Sequence, residues 1–342
     1  MPAIVLVYLL AITLAQVGLF SRSPAQTDIY LTFKSWLLPM MLFLMLLRLD
    51  LKAFTRLGRG LLIAYTGAVL SLIVSFFTVF WLFGFGPDAA GVFGALGGSW
   101  TGGTANMLAV AGALNISETQ LGPALIVDSL LYTLWVSTLL LAVPFAARFD
   151  RWSGALPLTA SLKTESATPT SIRSLFLLGA LAFAIACVLI PLSGWLPWLP
   201  GNTWIVLLAT FTGVLGSFTP LKHFGGSTLM ASLLLYVLIA LIGSHASLSG
   251  FAEVPHYLAA AAAILLLHAL LMLLLARRFK LSLFSIGIAS LANIGGVASA
   301  PVLAAAYSRH LVGAAVIMAV MGYLAGTVIG LLIASGLERI AT

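Results

Sequence analysis

The sequence predicts an all-α, polytopic membrane protein. About 11 transmembrane helices are expected, in two structural repeats that each contain one broken helix. Three observations predict it. First, 61% of the 342 residues are hydrophobic, 7% are charged, and the mean hydropathy is +1.14. A soluble domain carries roughly 25% charge, so a chain this apolar has lipid as its solvent. Second, apolar stretches of membrane-crossing length recur along the whole chain. Third, two of them are interrupted at matching places by glycine and asparagine. The net charge of +7 does not point to nucleic acid. The Lys and Arg residues lie mostly in short loops, where the positive-inside rule of a bacterial inner membrane puts them. The single cysteine, Cys187, sits in an apolar run, which leaves no disulfide framework and no cysteine metal site.

In chain order, the apolar stretches cover about 2–20, 36–48, 60–84, 89–113, 118–147, 174–193, 202–219, 228–244, 256–276, 281–307 and 310–337. The first, "MPAIVLVYLLAITLAQVGLF", lacks a basic leader and a small-residue cleavage site, so it reads as a helix rather than a signal peptide. The second is short and starts just after Lys34. The only long polar stretch, residues 146–173, is rich in Ser, Thr and Pro and reads as a flexible connector. "LLAITLAQVGLF" (9–20) resembles "LLATFTGVLGSF" (207–218), and Gly102-Gly103 aligns with Gly295-Gly296, an offset of 193 residues. The domain division is therefore a first repeat at 1–147, a connector with one extra helix at 148–200, and a second repeat at 201–342.

With eleven simple crossings, the odd-numbered loops and the C-terminus hold Arg22, Lys34, Arg148, Arg151, Lys163, Arg173, Lys222, Arg277, Arg278, Lys280 and Arg339, against five basic residues elsewhere. That bias places the N-terminus outside and the C-terminus inside. Inverted repeats need an odd number of crossings between equivalent helices, and the count here is six. Either one segment is not a simple crossing or the repeats are parallel.

The interruptions are "GGSWTGGTANMLAV" (97–110) and "LANIGGVASAP" (291–301). Unsatisfied backbone groups cost several kcal/mol in hydrocarbon, so non-helical backbone at depth must be buried in protein or line a wet cavity. Paired interruptions in two halves point to a transporter binding site. Small residues also make tight helix contacts, which is the competing explanation of each glycine. The candidate ligands are Ser99, Thr101, Gly102, Gly103, Thr104 and Asn106 in the first motif, and Asn293, Gly295, Gly296 and Ser299 in the second, with Ser290 nearby. Carbonyls, amides and hydroxyls suit a hard cation such as Na+. Asp128, near the middle of the fifth stretch, adds one intramembrane carboxylate, which is a functional hypothesis by default. Asp128 and Asn106 are the expected Na+ ligands. His268 is the other buried titratable residue and reads first as a packing histidine. Arg277, Arg278 and Lys280 read as topology anchors. No metalloprotease helix, nucleotide-binding loop or serine–base pair is present in the sequence, which argues against an enzyme and an ATP-driven pump.

The two glycine motifs, with "ALIVDSLLYTLW" and "LLPMMLFLMLLRLDLKAF", resemble the YjcL-like membrane proteins of domain-of-unknown-function family 819 over nearly the whole chain. The resemblance implies kinship with cation:proton antiporters and bile-acid sodium symporters. It further implies inverted repeats, crossed broken helices at 97–106 and 292–301, and a core domain moving against a panel domain. Asp128 would fall where antiporters keep their ion-binding acid, as a single acid rather than an adjacent pair. The expected function is secondary transport of a small anionic organic solute coupled to Na+ or H+, with no other cofactor. The expected partners are the lipid bilayer, the solute and a second copy of the chain, paired through panel surfaces. A monovalent cation/proton antiporter is the alternative, and a non-transporting membrane scaffold or receptor is the alternative of another class.

Overall fold

The computed structural model describes residues 3–19, 24–48, 57–155, 170–198, 200–245, 252–307 and 311–341. Most of the polar connector lies outside them, as do Arg22, Lys52, Arg56 and Lys163 of the basic-loop count. The described residues form helices and no strands. In order they are α1 (Ala3–Gln16), α2 (Pro24–Leu46), α3 (Arg59–Leu82), α4 (Pro87–Gly102), α5 (Thr104–Ala113), α6 (Glu118–Ala142), α7 (Ala146–Ser153), α8 (Ile172–Ser193), α9 (Gly201–Ser217), α10 (Ser227–His245), α11 (Val254–Phe279), α12 (Leu283–Ile294), α13 (Gly296–Tyr307) and α14 (Val312–Ala341). Among the described residues, 7 helices are long and apolar enough to cross a membrane. The apolar helices Leu6–Gln16, Thr104–Ala113, Gly201–Ser217 and Leu283–Ile294 are shorter. The sequence-based figure of 11 counts 89–113 and 281–307 as single crossings, whereas each is two helices here.

Two sequence expectations need correction. The second stretch is not a short span beginning at 36, because α2 starts at Pro24. Lys34 made the stretch look short. Its ammonium is paired with the Glu118 carboxylate at 2.5 Å, and the Tyr30 hydroxyl donates to the same oxygen. A paired charge no longer forces the helix out of the apolar layer. The connector does not begin as irregular chain either. It opens with α7, an amphipathic helix of about two turns that ends at Gly154 in the left-handed conformation, φ 70°.

The chain forms two compact units that interleave in sequence. One comprises 1–49, 108–129 and 167–255, and the other comprises 50–107, 130–166 and 256–342. In the first unit, α1 packs on α10 and α2 packs on α9 and α10. The close approaches use glycine. A β-carbon on Gly243 would lie 2.8 Å from both the Tyr8 carbonyl oxygen and the Ala11 β-carbon, and one on Gly213 would lie 3.0 Å from the Phe43 carbonyl oxygen. Phe43, Leu44, Leu47, Leu178, Ala182 and Ala231 form a core cluster there.

In the second unit the most extensive helix pair is α4 with α14. The two run antiparallel. Gly94 lies against Gly330 and Ala334, Gly97 against Ile333, and Gly102 against Gly322 and Gly326. Gly322, Gly326 and Gly330 recur every four residues, so they fall on one face of α14. Small residues at such spacing let two backbones touch where no side chain intervenes. A β-carbon on Gly326 would sit 2.7 Å from the Gly102 α-carbon and 2.9 Å from its nitrogen, both backbone atoms that cannot rotate away. Gly326→Ala should therefore lower stability by about 1–3 kcal/mol, as overpacking does. Gly60→Ala in α3 is the matched control. Its nearest neighbour would be a leucine methyl at 3.8 Å, so stability should hold or rise by up to about 1 kcal/mol. Thermal denaturation in detergent checks the pair. Equal destabilisation of both variants would refute the packing account.

Candidate functional site

The site is built where α4 gives way to α5 and α12 to α13, all within the second unit up to Met107. Helix runs unbroken through Gly102 and resumes at Thr104, so the segment 97–106 is helical apart from Gly103. Likewise 292–301 is helical apart from Gly295, where α12 ends and α13 begins. The expectation of two ten-residue irregular segments is corrected to two one-residue interruptions. The reason is the α14 stripe, which accepts Gly94, Gly97 and Gly102 as packing residues and leaves only Gly103 to break the helix. Gly103 has φ 87° and ψ 168° and Gly296 has φ 61°, regions that side chains avoid and glycine enters freely.

The two interruptions share one neighbour. A β-carbon on Gly103 and one on Gly296 would each lie 3.4 Å from Cε1 of Tyr323. The preceding residue of α14 makes the same double contact. A β-carbon on Gly322 would lie 3.0 Å from the Thr101 carbonyl oxygen and 3.5 Å from that of Ala292. Thus the C-terminal ends of α4 and α12, which carry partial negative charge, converge on Gly322 and Tyr323.

The two motif asparagines are both fully buried. Each donates from Nδ2 to the carbonyl four residues back, Asn106 to Gly102 at 2.7 Å and Asn293 to Ala289 at 2.8 Å. They differ at the carbonyl end. Asn106 Oδ1 accepts from the Thr327 hydroxyl at 2.5 Å. Asn293 Oδ1 has no hydrogen-bond partner among the described residues, and neither has Ser299 Oγ. Ser299 lies over Gly295, where a methyl group would strike its hydroxyl and sit 2.6 Å from the Tyr132 ring. The second interruption therefore gathers two buried polar atoms without partners, and the first gathers none of this kind.

The other sequence candidates fall as follows. Ser99 is buried, and Thr101 is buried with its hydroxyl donating to the Gly97 carbonyl at 2.8 Å. Thr104 is half-buried at the first position of α5. Ser290 is drawn into a different group. Its hydroxyl accepts from Trp135 Nε1 at 2.9 Å and lies 2.8 Å from His268 Nε2, while His268 Nδ1 lies 2.7 Å from the Ser71 hydroxyl. His268 is buried with both ring nitrogens hydrogen-bonded, one to α3 and one to α12, as a satisfied packing histidine is. Asp128 is buried too, on the part of α6 that belongs to the first unit. The structure groups Asn293, Gly295, Gly296 and Ser299 at one interruption and Gly102, Gly103 and Asn106 at the other.

Sequence reasoning missed Thr327, Tyr323 and Tyr132. The first two announce themselves weakly, as polar residues that each follow a glycine of the every-four stripe in "GYLAGTVIG". Nothing in the sequence singles out Tyr132. No group of three or more His, Cys, Asp or Glu suited to a metal ion occurs among the described residues.

A chain of apolar spanning helices, with two interrupted helices meeting at one tyrosine, is a multi-pass membrane protein. It belongs to the family described as protein of unknown function DUF819, which matches residues 1–340. It is similar to the uncharacterized membrane protein YjcL of Bacillus subtilis strain 168, at 24% identity over 335 residues, which cover 90% of this chain and 83% of YjcL.

The Asn106–Thr327 bond has a measurable consequence. Thr327→Val keeps the shape and removes the donor, leaving a buried amide oxygen unsatisfied at a cost of about 1–3 kcal/mol. Thr327→Ser restores a hydroxyl and should recover most of that. Melting temperatures of the three proteins in one detergent test it, and a valine variant as stable as the parent would contradict the assignment.

Proposed function

We propose that the protein is a secondary active transporter of a small anionic organic solute coupled to Na+ or H+. The observation that carries this reading is the second helix interruption, where Asn293 Oδ1 and Ser299 Oγ are buried without partners. An unsatisfied buried acceptor costs about 1–3 kcal/mol, and more in hydrocarbon. Two of them beside one interruption are a standing cost that a bound cation removes. The nearby C-terminal ends of α4 and α12 add negative potential. Neutral oxygens with no clustered acids suit a hard monovalent cation better than a transition metal. The N-terminal ends of α5 and α13 carry the opposite partial charge and suit the anionic group of a solute.

In this reading Asn293 and Ser299 hold the coupling ion and Asn106, tied to Thr327, supports the fold. Asp128 is the second candidate for the ion. A homodimer belongs to the same reading. A monovalent cation/proton antiporter is the second reading, and one observation favours it. The titratable His268 is hydrogen-bonded to Ser290 on α12, the half-helix that leads to Asn293.

A thermal-shift screen of the purified protein with Na+, K+, Li+ and metabolite pools tests the proposal. An ion at 100 times its Kd stabilises the folded state by about 2.7 kcal/mol. Ser299→Ala removes an unpartnered hydroxyl, so the ion-free protein should be as stable as the parent or more so, while the ion-induced shift falls away. Asp128→Asn in parallel separates the two candidates. Loss of the shift in the aspartate variant alone would move the ion from the second interruption to α6. No shift with any monovalent cation would remove the Na+ reading.

A further inference from the structure

A separate feature of the second unit lies at the elbow between α11 and α12. Helix α7 is docked there by three contacts. Asp150 Oδ1 accepts from the backbone nitrogen of Leu283 at 2.8 Å, at the first turn of α12. Arg277 donates to the Trp152 carbonyl, and its guanidinium lies over the Trp152 ring, 5.7 Å from the centroid. Gly154, just past the end of α7, faces the Lys280 stem, since a β-carbon there would lie 3.9 Å from Cγ.

These contacts bring together the basic residues of two distant stretches of chain. Arg148 and Arg151, three apart on α7, share one face. Arg277 and Arg278 close α11, and Lys280 follows with φ 53°. All five cations are exposed. Among the described residues no acid pairs with Arg148, Arg151, Arg278 or Lys280, and the one acid of the group, Asp150, is engaged by the first backbone N–H of α12. Exposed aromatic rings border the cations. Phe145 is 61% exposed, Trp152 47% and Phe279 45%.

Cations with no acidic partner among the described residues, on a short amphipathic helix bordered by exposed aromatic rings, complement an anionic bilayer surface. The aromatic rings suit the headgroup boundary and the guanidinium groups suit phosphate. We infer that the α7 face with the α11–α12 elbow is a binding site for the headgroup of an anionic phospholipid, such as phosphatidylglycerol. Arg148, Arg151, Arg278 and Lys280 contact the phosphate, and Trp152 and Phe145 sit at the acyl boundary. A headgroup bound there holds α7, and through Asp150 it holds the first turn of α12, the half-helix that carries Asn293.

Native mass spectrometry of the full-length protein, titrated with phosphatidylglycerol or phosphatidylcholine of equal chain length, tests it. The parent protein should retain phosphatidylglycerol preferentially. Each basic residue near an anionic surface contributes substantially, so Arg148→Gln, Arg151→Gln and Arg278→Gln combined should cut that preference by about 10- to 100-fold. Arg277 is left intact because it holds α7 in place. All three replaced side chains are exposed, and an unchanged elution profile and helical spectrum confirm that the triple variant folds. A second triple, Arg173→Gln with Lys222→Gln and Arg339→Gln, controls for total charge and should keep the preference. Equal retention of the two lipids by the parent, or equal loss in both triple variants, overturns the site. So does inorganic phosphate that displaces phosphatidylglycerol at millimolar concentration, since that would make the surface an ion site rather than a lipid site.

Discussion

Hydrocarbon offers no hydrogen bonds, and the second unit is organised by that constraint. A helix that stops in the membrane leaves its last carbonyls and the next amides exposed to a solvent that cannot satisfy them. Two helices of apolar sequence stop at Gly103 and Gly295. Both are tolerated because α14 passes beside them with glycine at 322 and 326, so protein backbone lies against the interrupted segments. The glycine stripe, the shared contact with Tyr323 and the short extent of each interruption follow from that one requirement. A side chain at 322 or 326 would meet backbone atoms of these segments.

Membrane character was legible in composition alone. The positions of most helices followed from apolar runs, because an uninterrupted apolar stretch in lipid has no alternative to helix. What the sequence could not show was which charges and glycines are answered by distant residues. Lys34 looks like the edge of a span until Glu118, 84 residues away, is placed against it. Gly97 and Gly102 look like helix breakers until α14 supplies the surface they touch. Helix propensity assigns the same cost to each glycine, and only the tertiary neighbour separates packing glycine from breaking glycine.

The candidate site was half legible for the same reason. The motifs put Asn106 and Asn293 in matching places and gave no ground for treating them differently. Thr327 makes the difference, by occupying one amide oxygen and leaving the other alone. His268 looked bland as a lone histidine in "ILLLHALLML". Its partners Ser71 and Ser290 come from residues 197 and 22 positions away, a separation that no local pattern reveals.

The chemistry of the two unpartnered atoms at the second interruption also bears on energetics at the scale of the whole membrane. An amide oxygen and a hydroxyl oxygen are both neutral. A monovalent cation held on them keeps its full charge, so carrying it across couples to the electrical potential by about 2.3 kcal/mol for every 100 mV. A cation bound by the Asp128 carboxylate would travel as a neutral pair, and the field would act instead on the empty, charged carboxylate as it returns. On the proposed transporter reading, the oxygen atoms that take the ion decide which half of the cycle, loaded or empty, the membrane voltage acts on.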